Sequence, residues 1–239
     1  RTPSVGGVRG QRGRGAERGL PAHAAQRVFE LFERPVVVQG VGGEVVEDPQ
    51  QPFLTEGLVF EVEGKVWPFH EKALILLHKP AGYECSRKPS HHPGVMSLLP
   101  EIFLARNVQP VGRLDHDTTG LLLLSDDGAF IHRQSSPKHH VPKTYVATTH
   151  EPVTQALVAQ LISGVKLTDE PEPLAALSCR PVDDHRLEIV LDQGKYHQVK
   201  RMLAAVGNRV VGLHRSRMGR FDLPADLAPG QWRWLTPDD

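Results

Sequence analysis

Residues 111–128 read VGRLDHDTTGLLLLSDDG, and this stretch most narrows what the chain can fold into. An apolar run enters at Val111, breaks into the polar turn formers Asp115 to Gly120, and resumes as a run of four leucines before Ser125. Apolar runs this short, bounded by Gly, Pro and Asp, read as buried strands. The pattern is strand, turn, strand, with Asp115 at a strand end beside the core. Arg113 stands two residues before it. A carboxylate held there is suited to act as nucleophile or base, because burial and nearby cations tune its proton affinity in opposite directions.

Three other readings compete. Asp115, Asp117, Thr119, Gly120 and Asp126 fall at positions 1, 3, 5, 6 and 12 of a calcium loop, but that loop needs flanking helices and a final Glu. Asp117-Thr118-Thr119-Gly120 is near an aspartic-protease loop, yet such enzymes need two carboxylates sharing a proton and no second copy occurs. The plainest alternative is an Asp that caps a turn through its own backbone bonds.

The rest of the chain sets the context. Residues 1–20 hold five Arg and one Glu among glycines and cannot build a core, so a disordered tail is expected. A helix is expected over 24–34, then strands over 36–39, 44–47 and 58–63, forming a small module within residues 21–70. Residues 71–239 form the main domain. Strands are expected at 73–79, 111–114, 121–125, 143–149, 187–191, 210–213 and 232–235, and helices at 152–163 and 196–206, the latter closed by Gly207. Strands outnumber helices without alternating strictly with them, which points to an α+β fold.

Charge excludes little, since 28 Lys+Arg balance 28 Asp+Glu. Distribution says more: residues 195–220 carry seven basic side chains and no acidic one, a pattern that fits either a polyanion-binding surface or a solvated face. Two cysteines without metal-ligand spacing fit a reducing cytoplasm. His139, His140 and His150 show no metal spacing either. No apolar run nears the ~20 residues of a membrane span. A start at Arg1 rather than Met leads us to expect a processed or truncated beginning.

GRLDxxTTGLLLLSDDG resembles the active-site motif of the bacterial ribosomal RNA pseudouridine synthases. The resemblance continues in order through LLHKPAGY at 76–83, SSPKHHVPKTYVA at 135–147, DQGKYHQVKRMLAAVGNRVVGLHRSRMG at 192–219 and LAPGQWRWLT at 227–236. Five ordered blocks weigh far more than one motif. The Tyr-His-Gln-Val-Lys-Arg-Met form at 196–202 is most similar to the branch acting on 16S rRNA.

The resemblance implies a pseudouridine synthase fold, with a mixed, largely antiparallel sheet and flanking helices. It implies that a uridine, uridine 516 in the loop of helix 18, is isomerised without cofactor or metal. Asp115 matches the essential aspartate, Tyr145 the tyrosine that stacks on the target base, and Lys200 the basic partner of the aspartate, with the adjacent Arg201 as its rival. Arg113 matches an Arg that either enters the RNA where the base leaves or binds phosphate. His197 and Gln198 are expected to orient their loop or contact RNA, and Lys143 and Arg215 to bind substrate. The expected partner is small-subunit rRNA within an assembly intermediate, met by a cytoplasmic monomer with no membrane attachment. Residues 24–64 resemble the second half of an α-L-type RNA-binding module, partial or degenerate because the basic first helices are missing. The rivals are a 23S rRNA target and a catalytically silent ribosome-assembly factor on the same fold.

Overall fold

The computed structural model describes residues 38–39, 45–46, 59–62, 65–86 and 88–235. The tail expected at 1–20 and the helix expected at 24–34 lie outside the described residues. The chain divides into two compact units, Arg1–Glu71 and Lys72–Asp239. In the first, β1 (Val38–Gln39) pairs antiparallel with β2 (Val45–Val46), and β3 (Val59–Val62) with β4 (Lys65–Pro68).

The second unit runs β5 (Leu74–Lys79), α1 (Glu101–Ala105), β6 (Gln109–Pro110), β7 (Thr119–Ser125), α2 (Gly128–Ser135), β8 (Lys143–Thr149), α3 (Gln155–Ser163), β9 (Ser178–Asp183), β10 (Arg186–Leu191), α4 (Gln198–Ala205), β11 (Val210–Met218), β12 (Phe221–Asp222) and β13 (Trp232–Trp234). Its sheet is ordered β13-β5-β7-β11-β8-β10-β9, with β12 beside β11 and β6 beside β7. Every pairing is antiparallel except β7 with β11. The fold is α+β with a mixed, largely antiparallel sheet, as the sequence led us to expect.

Burial explains the central strands. Leu121, Leu122, Leu123 and Leu124 are all fully buried, so both faces of β7 are covered, which is what an unbroken apolar run requires. Leu121 and Leu123 join Leu76, Phe130 and Phe221 in one core cluster. A second cluster packs α3 and α4 against β8 and β10 through Leu157, Leu161, Leu187, Ile189, Met202 and Leu203. The Thr154 hydroxyl caps α3 by accepting from the Leu157 N–H at 3.1 Å.

Several expectations need correction. Residues 111–114 are not a strand: Pro110 and a left-handed Gly112 (φ 74°) end the pairing, although the Val111 N–H still donates to the Leu123 carbonyl at 2.8 Å. The helix expected from 196 starts at Gln198, because His197 is itself left-handed (φ 47°). Strand β11 does not stop at 213 but runs on to Met218. Helix α2 and strand β9 were not expected.

The basic stretch at 195–220 is not an open cationic face. Lys195 pairs with Glu170, Arg201 with Asp169 and Glu170, and Arg217 lies 3.5 Å from Asp222. Arg215 is only 2% exposed. Acidic side chains from elsewhere in the sequence thus pair with part of what looked, in one dimension, like an uncompensated run.

Candidate active site

Asp115 sits in the loop between β6 and β7, and that loop is held from beneath. Lys79, the last residue of β5 and fully buried, donates from Nζ to the carbonyls of Pro80, His116 and Thr118 at 2.9, 3.1 and 2.8 Å. The Gly82 N–H donates to the His116 carbonyl at 2.7 Å, and the Leu114 N–H meets the Cys85 sulfur at 3.5 Å. Burial pulls the Lys79 ammonium below its usual value; Cys85, Asp117 and Asp115 oppose this but do not restore it. Lys79 has no role among the motifs above, although a cation ending an apolar strand is itself a signal, since lone buried charges are rare.

The Asp115 side chain does not cap the turn. Its backbone carbonyl closes the turn by accepting from the Thr118 N–H at 3.1 Å. One carboxylate oxygen lies 3.2 Å from Lys200 Nζ and the other 3.3 Å from His197 Nε2. Lys200 comes from the first turn of α4 and also bonds both Asp117 oxygens, at 2.7 and 2.9 Å. Desolvation depresses the Lys200 ammonium, but the two carboxylates outweigh it and leave its pKa above the ordinary value. Asp117 is the reverse case: desolvation raises it, and the hydrogen bond and charge of Lys200 bring it below the usual carboxylate value.

In front of Asp115 opens a cavity of about 290 Å³, near the lower end for small-molecule sites. Arg113, Asp115, Lys143, Tyr145, His197, Gln198 and Arg215 all line it. Leu191, Val199, Leu213 and Met218 give it apolar walls. Tyr145 of β8 stands directly opposite Arg215 of β11 and, on its other side, Ile189 of β10. Partners directly opposite share a face, so Tyr145 and Arg215 approach the cavity from one side of the sheet.

Not every expected residue serves the cavity equally. Arg113 is exposed at the rim. His197 stacks on Tyr196 with ring centres 3.8 Å apart. Gln198 is buried and spends its amide internally, accepting from the Lys195 N–H at 3.1 Å and reaching the Met202 sulfur at 3.8 Å. Its amide oxygen thus ties the Lys195 backbone to the start of α4. Arg201 is not brought to Asp115: it donates to the Tyr196 carbonyl at 2.9 Å and pairs with Asp169. About 100° of helix rotation separates it from Lys200 and decides which one faces the aspartate. The calcium alternative fails on Asp126, which is bound by Arg106 at 2.7 Å at the far end of β7. Among the described residues no cluster of three or more His, Cys, Asp or Glu could hold a metal ion.

Comparison with known proteins identifies the family. Residues 73–205 match the family described as RNA pseudouridylate synthase. The chain is 40% identical over 199 residues to the ribosomal small subunit pseudouridine synthase A of Salmonella typhimurium, covering 83% of this chain and 86% of that protein. It is 41% identical over the same length to the protein of that name from Escherichia coli, with the same coverage, and 39% identical to that of Haemophilus influenzae over 83% of this chain and 85% of the relative. A crystal structure of a pseudouridylate synthase superposes with a TM-score of 0.66 at 36% identity, covering 87% of this chain and 88% of the other. An ordered aspartate beside a base-sized cavity, the sheet that carries them and these matches together place the chain in the RNA pseudouridylate synthase family, enzymes that isomerise uridine to pseudouridine.

Proposed function

We propose that this enzyme acts on small-subunit (16S) rRNA, with uridine 516 in the loop of helix 18 as the target and Asp115 as the reacting carboxylate. The observation that carries this reading is the Asp115 carboxylate, fixed by Lys200 and His197 at the mouth of a cavity with Tyr145 inside. The names of the similar proteins supply the substrate class.

The target base leaves its stack to enter the cavity, at a cost of a few kcal/mol that is least in a loop. Tyr145 offers a π-face to it. The N1–C1′ bond then breaks with its electron pair staying on the base. An Asp115 oxygen either bonds to C1′ or takes the C2′ proton; both suit a carboxylate at an anomeric carbon. The base turns, C5 bonds to C1′ as the carboxylate leaves or returns its proton, C5 loses its hydrogen and N1 gains one. No atom is gained or lost overall. Arg113, at the rim, enters the space the base vacates or binds phosphate. The substrate in this reading is rRNA in an assembly intermediate, and the enzyme works as a cytoplasmic monomer.

Asp115→Asn is near-isosteric and tests this directly. On unmodified 16S rRNA, the parent is expected to give one carbodiimide-dependent primer-extension stop and the variant none. A fully active variant would remove Asp115 from the chemistry. A stop on 23S rRNA alone would move the target to the large subunit, and RNA binding without any stop would favour an assembly factor.

A further inference from the structure

Lys143 and Arg215 share one oddity: both are buried, both line the cavity, and neither is ion-paired. Arg215 is 2% exposed and Lys143 9%. Lys143 Nζ donates to the Val141 carbonyl at 2.7 Å, and Arg215 Nε to the Leu121 carbonyl at 2.8 Å. Arg215 Nη2 is buried with no hydrogen-bond partner at all. The two charges also sense each other: burial lowers the Lys143 ammonium, Arg215 adds to this, and the charge of Asp192 opposes it without restoring the ordinary value. Nearby acids are already engaged: Asp192 with His140 at 2.9 Å, and Asp115 with Lys200 and His197.

Two adjacent buried cations, neither within ion-pair distance of a carboxylate, are strongly unfavourable. A fold keeps such an arrangement where an anion occupies the space between them for part of the working cycle. The cavity walls say which kind of anion. Tyr145, Leu191, Leu213 and Met218 suit a flat heterocycle with delocalised charge better than a strongly hydrated phosphate. Breaking N1–C1′ heterolytically makes such a species, because the base departs as a uracil anion with charge spread over N1, O2, O4 and C5.

We infer that Arg215 and Lys143 form an anion pocket for the detached uracil, holding its charge while the base turns. The inference rests on the reaction proposed above. Arg215 is the stronger of the two, because its Nη2 is buried beside the cavity without a partner and would gain one in a uracil carbonyl oxygen, and Lys143 supplies a second positive charge. Because these donors are fixed before the reaction starts, they stabilise charge as it develops without reorganising.

The test uses RNA carrying either uridine or 5-fluorouridine at the target, followed in single turnover as loss of the intact nucleoside. Fluorine stabilises the departing anion by itself, so the enzyme's cations matter less. Arg215→Met is expected to slow uridine by about 100-fold, the order of a lost oxyanion-hole donor, and 5-fluorouridine by less than about tenfold. Arg215→Lys is expected to recover part of the rate, and a thermal melt confirms that each variant is folded. Lys143→Met should show the same pattern with a smaller loss. Equal losses on both substrates would overturn the inference. So would a weaker RNA affinity and shallower salt dependence at an unchanged saturating rate, which would mean that Arg215 binds a phosphate.

If the parent enzyme converts no rRNA uridine, the substrate reading fails, and the pocket is tested by itself with free bases. Barbiturate, a planar pyrimidine anion at neutral pH, should then bind at least about tenfold tighter than neutral uracil, the order of one charge-assisted hydrogen bond. Arg215→Met should lose that preference in saturation-transfer NMR. A parent with no preference would end the proposal.

Discussion

At the scale of single residues the site is a chain of charges, Lys79 below the loop, Asp115 and Asp117 on it, and Lys200 across from both. Lys200 contributes more to geometry than to stability. Its side chain is 25% exposed and that of Asp117 53%, so solvent screens the pair to below about 1 kcal/mol. Lys200→Met is therefore expected to cost little in urea denaturation at pH 7 while slowing catalysis about 100-fold, since Asp115 loses the partner that aims it. The sign of the pH effect follows from the two shifts. Asp117 is depressed in the folded enzyme, so its contribution is present above the ordinary value of 3.8 and lost as pH falls through the lower folded value. Lys200 is raised, so its contribution holds below 10.5 and is lost only above that. The small stability gap between parent and variant should thus persist from about pH 4 to 10 and close in stronger acid. A gap that closes near neutrality would mean that another group carries it.

At the scale of elements, the parallel contact between β7 and β11 is the junction on which the site depends. It consists of His214 opposite Thr119 and Arg215 opposite Gly120. Gly120 has φ 106°, and a Cβ there would meet the Arg215 carbonyl oxygen at 2.2 Å. Only glycine lets the strands approach this closely. Gly120→Ala should destabilise the enzyme by roughly 2–4 kcal/mol through strained backbone and overpacking, and it should displace Arg215 from the cavity. A urea midpoint within experimental error of the parent would show that the strands part freely. This junction also marks where the sequence stopped being legible. The strands at 73–79 and 143–149 and the stripe of α4 follow from apolar period alone, and Asp115, Tyr145 and Lys200 from ordered motifs. The extension of β11 through His214-Arg215-Ser216-Arg217 was hidden, because a run of charge reads as surface until its pairing with β8 and β12 is known. Strand β9 was missed for the opposite reason: it is a sheet edge with mostly exposed residues and a Pro181 that an edge tolerates. Lys79 was overlooked because its three carbonyl partners lie up to 39 residues away in sequence.

At the scale of the whole molecule, charge is balanced twice, once in the total of 28 against 28 and again locally. Of the seven cations between 195 and 220, Lys195, Lys200 and Arg201 are held by carboxylates, Arg217 has Asp222 beside it, and Arg215 is buried. A surface so neutralised can release few counterions on meeting RNA. The logarithm of affinity falls with the logarithm of salt by about 0.7 per neutralised phosphate for single strands. If all seven cations met phosphates, the slope would be about −5; with most of them engaged, a slope no steeper than about −2 is expected from this segment. The five Arg of the first 19 residues are the other source of charge. Removing residues 1–20 should therefore flatten the slope further if that segment contacts RNA. A titration of RNA affinity from 50 to 300 mM salt, with and without those residues, separates the two sources. A slope near −5 that survives the deletion would mean that the ion pairs around Lys195 and Arg201 open on binding, exchanging Glu170 and Asp169 for phosphates. In that event the loop from Gly194 to His197, and with it the imidazole beside Asp115, would be set by the substrate rather than before it arrives.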